Sequence, residues 1–186
     1  INEGTDSYKA ITLLIEVTNG IEIANAHATF ARGFTNAVRS GKDTTAALQA
    51  GMEALGRFYQ DYDATLDCKE TAALLKYYRD NAKPQDYFNF QQDFKTMDID
   101  AFVKNLFAES VFASEDKLKA AVAKGDASFL KTDKAAEISK SLQGVFPKRI
   151  EGYMKQANDL ISPSEAYTAG LLEWKKGEPS YPDANF

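Results

Sequence analysis

Residues 46–81, AALQAGMEALGRFYQDYDATLDCKETAALLKYYRDN, carry an apolar pattern that admits only helices. Leu48, Met52, Leu55, Tyr59 and Tyr62 recur at three- and four-residue intervals. Gln49, Glu53, Arg57 and Gln60 occupy the opposite side, so the first half is amphipathic with a period near 3.6. Leu66, Ala73, Leu74 and Tyr77 repeat the pattern after Asp63-Ala-Thr-Leu-Asp67, whose aspartates suit the N-cap of a second helix. The short connection predicts a tight antiparallel pair, with Phe58, Tyr59, Tyr62, Tyr77 and Tyr78 meeting at its closed end. Leu74 is expected in the core and Lys76 in solvent.

The same period governs the rest of the chain. From Asp6 to Ser40, Ile11, Leu14, Ile15, Ile21, Ala24, Ala28, Ala31, Phe34 and Val38 form one helix or two, capped by Asp6 or Ser7 and stopped at Ser40-Gly41. Asn19-Gly20 weakens its middle and predicts a kink or a close crossing, and Asp43, Thr44 and Thr45 cap the helix pair of residues 46–81. Beyond Pro84, shorter helical pieces are expected at 85–94, 98–109 and 114–124, ended by Gly125-Asp126. A longer run from Thr132 passes through Ala136, Ile138, Leu142, Val145, Phe146, Ile150, Tyr153, Met154, Ala157 and Ile161, and Pro147 inside it should bend or restart it near Val145. Ser162-Pro163 opens a last helix with Ala166, Tyr167, Gly170, Leu171 and Trp174 inward, ended by Lys175-Lys176-Gly177. No alternating run is long enough for a sheet. The predicted fold is all-α, an irregular bundle of about seven or eight helices, without a fixed repeat.

Composition narrows the partners. With 44% apolar and 12% aromatic residues, 186 residues can bury a core. There are 22 Lys and Arg against 27 Asp and Glu, and the first hundred residues hold 15 acidic and 10 basic side chains, which argues against nucleic acid. No stretch approaches the length of a membrane span. Cys68 is the single cysteine, so no internal disulfide forms, and it reads as a buried, inert thiol. The start at Ile1, without a signal-like segment, and the turn-like Tyr-Pro-Asp-Ala-Asn before Phe186 make both ends look cut.

Catalytic constellations are not visible in these residues. His27, the one histidine, sits on a helix with Ala24, Ala28 and Ala31 and reads as a partly buried or surface residue rather than a general base. No second His, Cys-x-x-Cys or Glu-x-x-His is present to ligate a metal, and no cofactor is implied. Gly51 and Gly56 lie in a helical pattern without the Lys-Ser or Lys-Thr of a phosphate loop. Asp61, Asp63 and Asp67 read as loop and cap residues, and their spacing does not continue into a calcium loop.

The end of the chain carries a family resemblance. Tyr181-Pro-Asp-Ala-Asn-Phe186, soon after Tyr167, Leu171, Leu172 and Glu173, resembles the segment of serine peptidase family 46, the bacterial dipeptidyl-peptidases 7 and 11, where the chain re-enters the catalytic domain. Phe58-Tyr-Gln-Asp-Tyr-Asp63, Ala72-Ala-Leu-Leu75 with Tyr77, Phe94-Lys-Thr-Met-Asp98, Leu106-Phe-Ala-Glu-Ser-Val-Phe112 and Glu115-Asp-Lys-Leu118 agree in order. The resemblance implies a chymotrypsin-like double β-barrel with a large helical domain inserted between the segment bearing His and Asp and that bearing the nucleophilic Ser. On this reading residues 1–180 form the helical domain and 181–186 connect to the barrel. Tyr181, Pro182, Asp183 and Asn185 mark the junction, and an extended or poorly ordered tail is expected there.

The family's Gly-Asp-Ser-Gly nucleophile motif and its substrate-anchoring Ser-Ser-Asn-Tyr-Trp-Lys type stretch are not in this sequence, so no catalytic, cofactor-binding or metal residue carries over. The resemblance implies a non-catalytic cap over the cleft that helps restrict cleavage to N-terminal dipeptides. Its partners would be the peptide substrate and the barrel of the same chain, in a periplasmic, secreted or cell-surface enzyme that dimerises with itself. The alternative from the residues alone is a free-standing helical interaction module that holds a peptide or partner helix in a groove. A helical enzyme with a carboxylate-only site is a third reading.

Overall fold

The computed structural model describes residues 2–174; the side chains of 2–7, 85, 146, 148, 149, 152, 153, 155–164 and 172 lie outside what is described. These residues form nine α-helices and no strand: α1 (Asn2–Gly20), α2 (Glu22–Arg39), α3 (Thr44–Leu55), α4 (Phe58–Asp61), α5 (Ala64–Asn81), α6 (Ile99–Glu109), α7 (Glu115–Ala123), α8 (Phe129–Thr132) and α9 (Lys134–Trp174). Seven of them have nine or more residues, so the irregular all-α bundle read from the sequence is the fold. The chain divides into two compact units, Thr12–Pro147 and a second drawn from both ends. The first holds the core.

Helix boundaries follow local chemistry. Asp43, Asp63, Asp98 and Ser114 accept hydrogen bonds from Ala46, Thr65, Ala101 and Lys117 backbone N–H groups respectively, satisfying donors that each new helix would otherwise leave unpaired. The break expected at Asn19-Gly20 is a full interruption. Ile21 adopts φ −99° and ψ 89° with its side chain completely buried, and Asn25 Nδ2 donates to the carbonyls of Thr18 and Asn19 at 3.0 and 3.1 Å. The first helix starts at Asn2, ahead of the Asp6 or Ser7 cap read from the sequence.

The dominant helix pair is α2 with α3, not the two halves of 46–81. The expected hairpin fails because Gly56 takes φ 56°, a left-handed conformation that ends α3, and the four-residue α4 then turns the chain before α5. Phe58, Tyr59 and Tyr62 do cluster, with ring centroids 4.6 to 5.8 Å apart. Tyr77 and Tyr78 do not join them. They lie near the other end of α5, where Tyr78 stacks on Phe88 at 4.2 Å and Tyr77 is exposed.

Helix α5 also buries a different stripe from the one expected. Its buried residues are Asp67, Thr71, Leu75 and Tyr78, whereas Leu66, Ala73 and Tyr77 are exposed. Leu74 is half-buried against the core, and Leu75 beside it is fully buried. Lys76 reaches solvent and pairs with Asp100 at 2.6 Å. The register departs from the hydrophobicity pattern because two of the four inward positions are polar, and such a pattern cannot see them.

Between α5 and α6 only Pro84–Asp86 is helical, as one 3₁₀ turn, so the helix expected at 85–94 is absent. Phe88, Phe90 and Phe94 are nevertheless buried. Phe88 and Phe90 flank exposed Asn89, the two-residue period of extended chain, and Ser141 Oγ donates to the Asn89 carbonyl at 2.8 Å. Helices α6 and α7 fall where read, and Gly125 ends α7 at φ 68°.

Helix α9 runs on through Pro147 and Pro163 without the restarts expected at either. A proline deletes one hydrogen bond, and a long helix has many others to keep its course. Ala136, Ile138 and Leu142 are buried as read, but Ile150, Met154, Ala166, Tyr167, Gly170 and Trp174 are exposed rather than inward, Tyr167 at 70% and Trp174 at 77%. An apolar stripe marks a face that can be covered, and here it faces outward.

Candidate functional site

The junction residues Tyr181, Pro182, Asp183 and Asn185 lie outside the described residues, as do the ordering of the tail and the helix stop at Lys175-Lys176-Gly177. Two polar constellations inside the first unit are what side-chain chemistry builds among the described residues.

The first centres on Asp67, which is 1% exposed. One carboxylate oxygen accepts from the Glu22 backbone N–H at 3.1 Å and the Thr71 hydroxyl at 3.1 Å. The other accepts from the Ile23 backbone N–H at 2.9 Å and the Tyr62 hydroxyl at 3.0 Å. Asp67 therefore caps α2 across space rather than α5, on which it sits. Asp63 is the cap of α5 itself. Asp61 ends α4, exposed.

Burial pushes the Asp67 carboxyl above its ordinary range, and its four hydrogen bonds oppose that by favouring the anion. The Tyr62 phenol is driven far up by burial and the neighbouring Asp67 charge, so it stays a donor. Burial, then the charges of Asp67 and Glu70, raises the Glu22 carboxyl. The arrangement is a structural lock in which all four donors are committed to the carboxylate.

The second constellation contains His27. The ring is 5% exposed, not at the surface, and its edge meets Phe112 at 5.2 Å between centroids. Nε2 lies 3.0 Å from the Leu130 carbonyl, so that nitrogen carries the proton and donates, and Nδ1 is left with its lone pair and no hydrogen-bond partner. Burial lowers its pKa, only partly offset by the bond to Leu130 and the nearby Asp133 charge. Asp133 is engaged elsewhere: it accepts from Ser110 Oγ at 2.7 Å, Val111 N at 2.8 Å and Ala135 N at 2.8 Å, so it caps α9 and holds the segment before α7.

His27, Ala28, Ala31, Arg32, Thr35, Asn36 and Arg39 of α2 form one side of a cleft of about 500 Å³, completed by Leu130, Ser139, Lys140 and Gln143. No serine or cysteine hydrogen-bonds to His27, so the cleft lacks a paired nucleophile and base. Cys68, half-buried against the core, has its thiol pKa raised by burial, which disfavours the reactive thiolate. Among the described residues no group of three or more His, Cys, Asp or Glu side chains could hold a metal ion, and no helix is long and apolar enough to cross a membrane.

Of these features, the sequence pointed to His27, Asp63 and Asp67 as structural residues. It missed the long-range target of Asp67 and the cationic cleft, because Arg32, Arg39 and Lys140 converge only after α2 and α9 pack. The geometry defines a helical domain whose polar clusters position helices rather than reacting atoms.

Relatives supply the rest. The model of the Peptidase S46 family matches residues 2–186, and the chain belongs to that family. It is 27% identical over 149 residues to dipeptidyl-peptidase 7 of Phocaeicola vulgatus, an overlap of 75% of this chain and 20% of that protein. It is also 27% identical over 129 residues to the Asp/Glu-specific dipeptidyl-peptidase of Porphyromonas gingivalis, covering 68% of this chain and 18% of that protein. The chain spans about a fifth of the length of these curated relatives.

Proposed function

We propose that residues 1–180 are the non-catalytic helical domain of a serine dipeptidyl-peptidase, covering its active-site cleft and limiting cleavage to N-terminal dipeptides of peptide substrates, and that 181–186 connect it to the barrel. The supporting observation is the family match along residues 2–186 of a chain whose one histidine is buried and bonded to a backbone carbonyl. Hydrolysis needs an activated hydroxyl, a base within hydrogen-bond reach and an oxyanion hole, which a catalytic barrel of the same polypeptide would provide. A cap over the cleft would leave room for two residues on the N-terminal side of the scissile bond, so the domain would contribute specificity without touching that bond. The enzyme would act in the periplasm or at the cell surface, as a homodimer, with Tyr181, Pro182, Asp183 and Asn185 at the junction to the barrel.

The test is product analysis on the full-length protein. Unblocked peptides of ten or more residues should release dipeptides stepwise from the N-terminus, and N-acetylated versions should resist. Reporters with hydrophobic and with acidic second residues distinguish the specificity of the two named relatives. A full-length protein that cleaves neither class, or that releases mixed product lengths, would refute the reading.

A further inference from the structure

In a chain with five more acidic than basic residues, the α2–α9 cleft concentrates cations. Arg32, Arg39 and Lys140 line it, and no carboxylate does. Neither arginine makes an ion pair with another described residue, and Lys140 donates to the Lys131 carbonyl at 3.3 Å, a contact that leaves its charge uncompensated. Asp133 and Glu137 are held in other hydrogen bonds, Asp133 accepting from Ser110, Val111 and Ala135 and Glu137 from the Gln91 backbone N–H.

Arg32 and Arg39 are seven residues apart on α2, close to two full turns. They therefore share a face and are spaced about 10.5 Å along the axis. Ala28 and Ala31 keep the wall between α2 and Leu130 low, and Thr35, Asn36, Ser139 and Gln143 add neutral hydrogen-bonding groups.

We propose that this cleft binds an acidic peptide, its two carboxylates bridged by Arg32 and Arg39 and one of them also met by Lys140. Guanidinium forks match carboxylates in bidentate geometry. A peptide in the polyproline II conformation rises about 3.1 Å per residue and repeats its side-chain direction every third residue, so carboxylates three residues apart lie on one face about 9 Å from each other, close to the arginine spacing. The apolar stretch between them suits the Ala28, Ala31 and Leu130 wall better than a bare inorganic anion would. The site is separate from any catalytic chemistry, so it stands or falls without the peptidase reading.

The probe is acetyl-Asp-Ala-Ala-Glu-amide, blocked at both ends, titrated calorimetrically into the full-length protein at low and at physiological salt. Binding should weaken as salt rises. The pair Arg32→Gln and Arg39→Gln should reduce affinity at least about tenfold, as expected for losing two charge-assisted contacts, while Arg32→Lys with Arg39→Lys retains part of it. Lys140→Gln should cause a smaller loss, and Lys104→Gln, on the exposed side of α6, none. Unchanged helicity by circular dichroism in each variant ties the loss to the groups removed. No binding at millimolar peptide, an equal loss in Lys104→Gln, or equal binding of acetyl-Asn-Ala-Ala-Gln-amide would overturn the proposal. Inorganic phosphate binding more tightly than the peptide would overturn the carboxylate assignment in favour of a phosphate site.

Discussion

Asp67 holds four donors with two oxygens, and they come from three parts of the fold: two backbone N–H groups at the start of α2, Tyr62 just before α5, and Thr71 one turn along. Asp67→Ala leaves two buried amides and two hydroxyls to find new partners, and should cost about 2–4 kcal/mol in denaturant melts. Asp67→Asn should cost less, about 1–2 kcal/mol, because its oxygen still serves one backbone N–H while its NH₂ faces the other. Equal costs for the two variants would show that an amide oxygen preserves none of the lock, so that the carboxylate itself and not the side-chain volume matters there. The sequence marked Asp67 as a cap but not of what, since its target lies 44 and 45 residues away and no local spacing encodes such a distance. His27 gives the pH-dependent prediction. Burial lowers its folded pKa below the ordinary value near 6.5, so the folded state binds fewer protons than the unfolded one in the window just below 6.5. Its contribution is whole above that pH and is lost as pH falls. Asp67, raised by burial, has the opposite sign, gaining relative stability as pH drops toward the ordinary carboxylate range. Comparing wild type with His27→Gln isolates the histidine: the melting-temperature gap should narrow from pH 7.5 to pH 5.5. A gap that stays constant would mean that His27 titrates as it does in the unfolded chain.

At the scale of elements, α2 and α3 approach closely because glycines face each other across the crossing. A Cβ added at Gly33 would lie 2.7 Å from the Ala54 Cβ and 2.8 Å from the Ala50 carbonyl oxygen, and one at Gly51 would lie 2.6 Å from the Phe30 ring. Neither the α3 backbone nor the fully buried Phe30 can yield cheaply, so Gly33→Ala should destabilise by about 1–3 kcal/mol despite alanine's higher helix propensity. Gly20→Ala meets only the terminal methyl of half-buried Leu74 at 2.6 Å, which can rotate away, and should cost less. Thermal melts that rank Gly20→Ala as the worse variant would refute the proposed crossing. The sequence placed these glycines in helices, yet the α2–α3 pairing was not legible, because amphipathic stripes state which face is buried and not which neighbour buries it. In α5 the stripe itself was off by one residue, Leu75 rather than Leu74, since Asp67 and Thr71 occupy inward positions that a count of apolar residues skips. Leu75→Ala should therefore cost about 2–5 kcal/mol and exceed Leu74→Ala, while Lys76→Ala, exposed with its Asp100 partner, should cost under about 0.5 kcal/mol.

For the molecule as a whole, helix content and class were legible because a 3.6-residue period dominates nearly every segment, with the Phe88 to Phe90 stretch the local exception. Family membership was legible from short motifs distributed along the chain, a signal independent of packing. The last prediction concerns His27 as the one candidate base. His27 is the one imidazole, its Nε2 is tied to Leu130, its basicity is reduced by burial, and no hydroxyl or thiol is bonded to it. A base that is neither near a nucleophile nor open to substrate contributes nothing to acyl transfer. Residues 1–186, expressed alone, should give a helical circular dichroism spectrum and release no dipeptide from reporters with either hydrophobic or acidic second residues. The full-length protein, assayed in parallel, should turn over at least one of them, and His27→Gln in the full-length protein should leave that turnover within about twofold, the range expected of a residue outside the chemistry. Turnover by residues 1–186 alone that His27→Gln abolishes would mean that the helical domain carries its own active site.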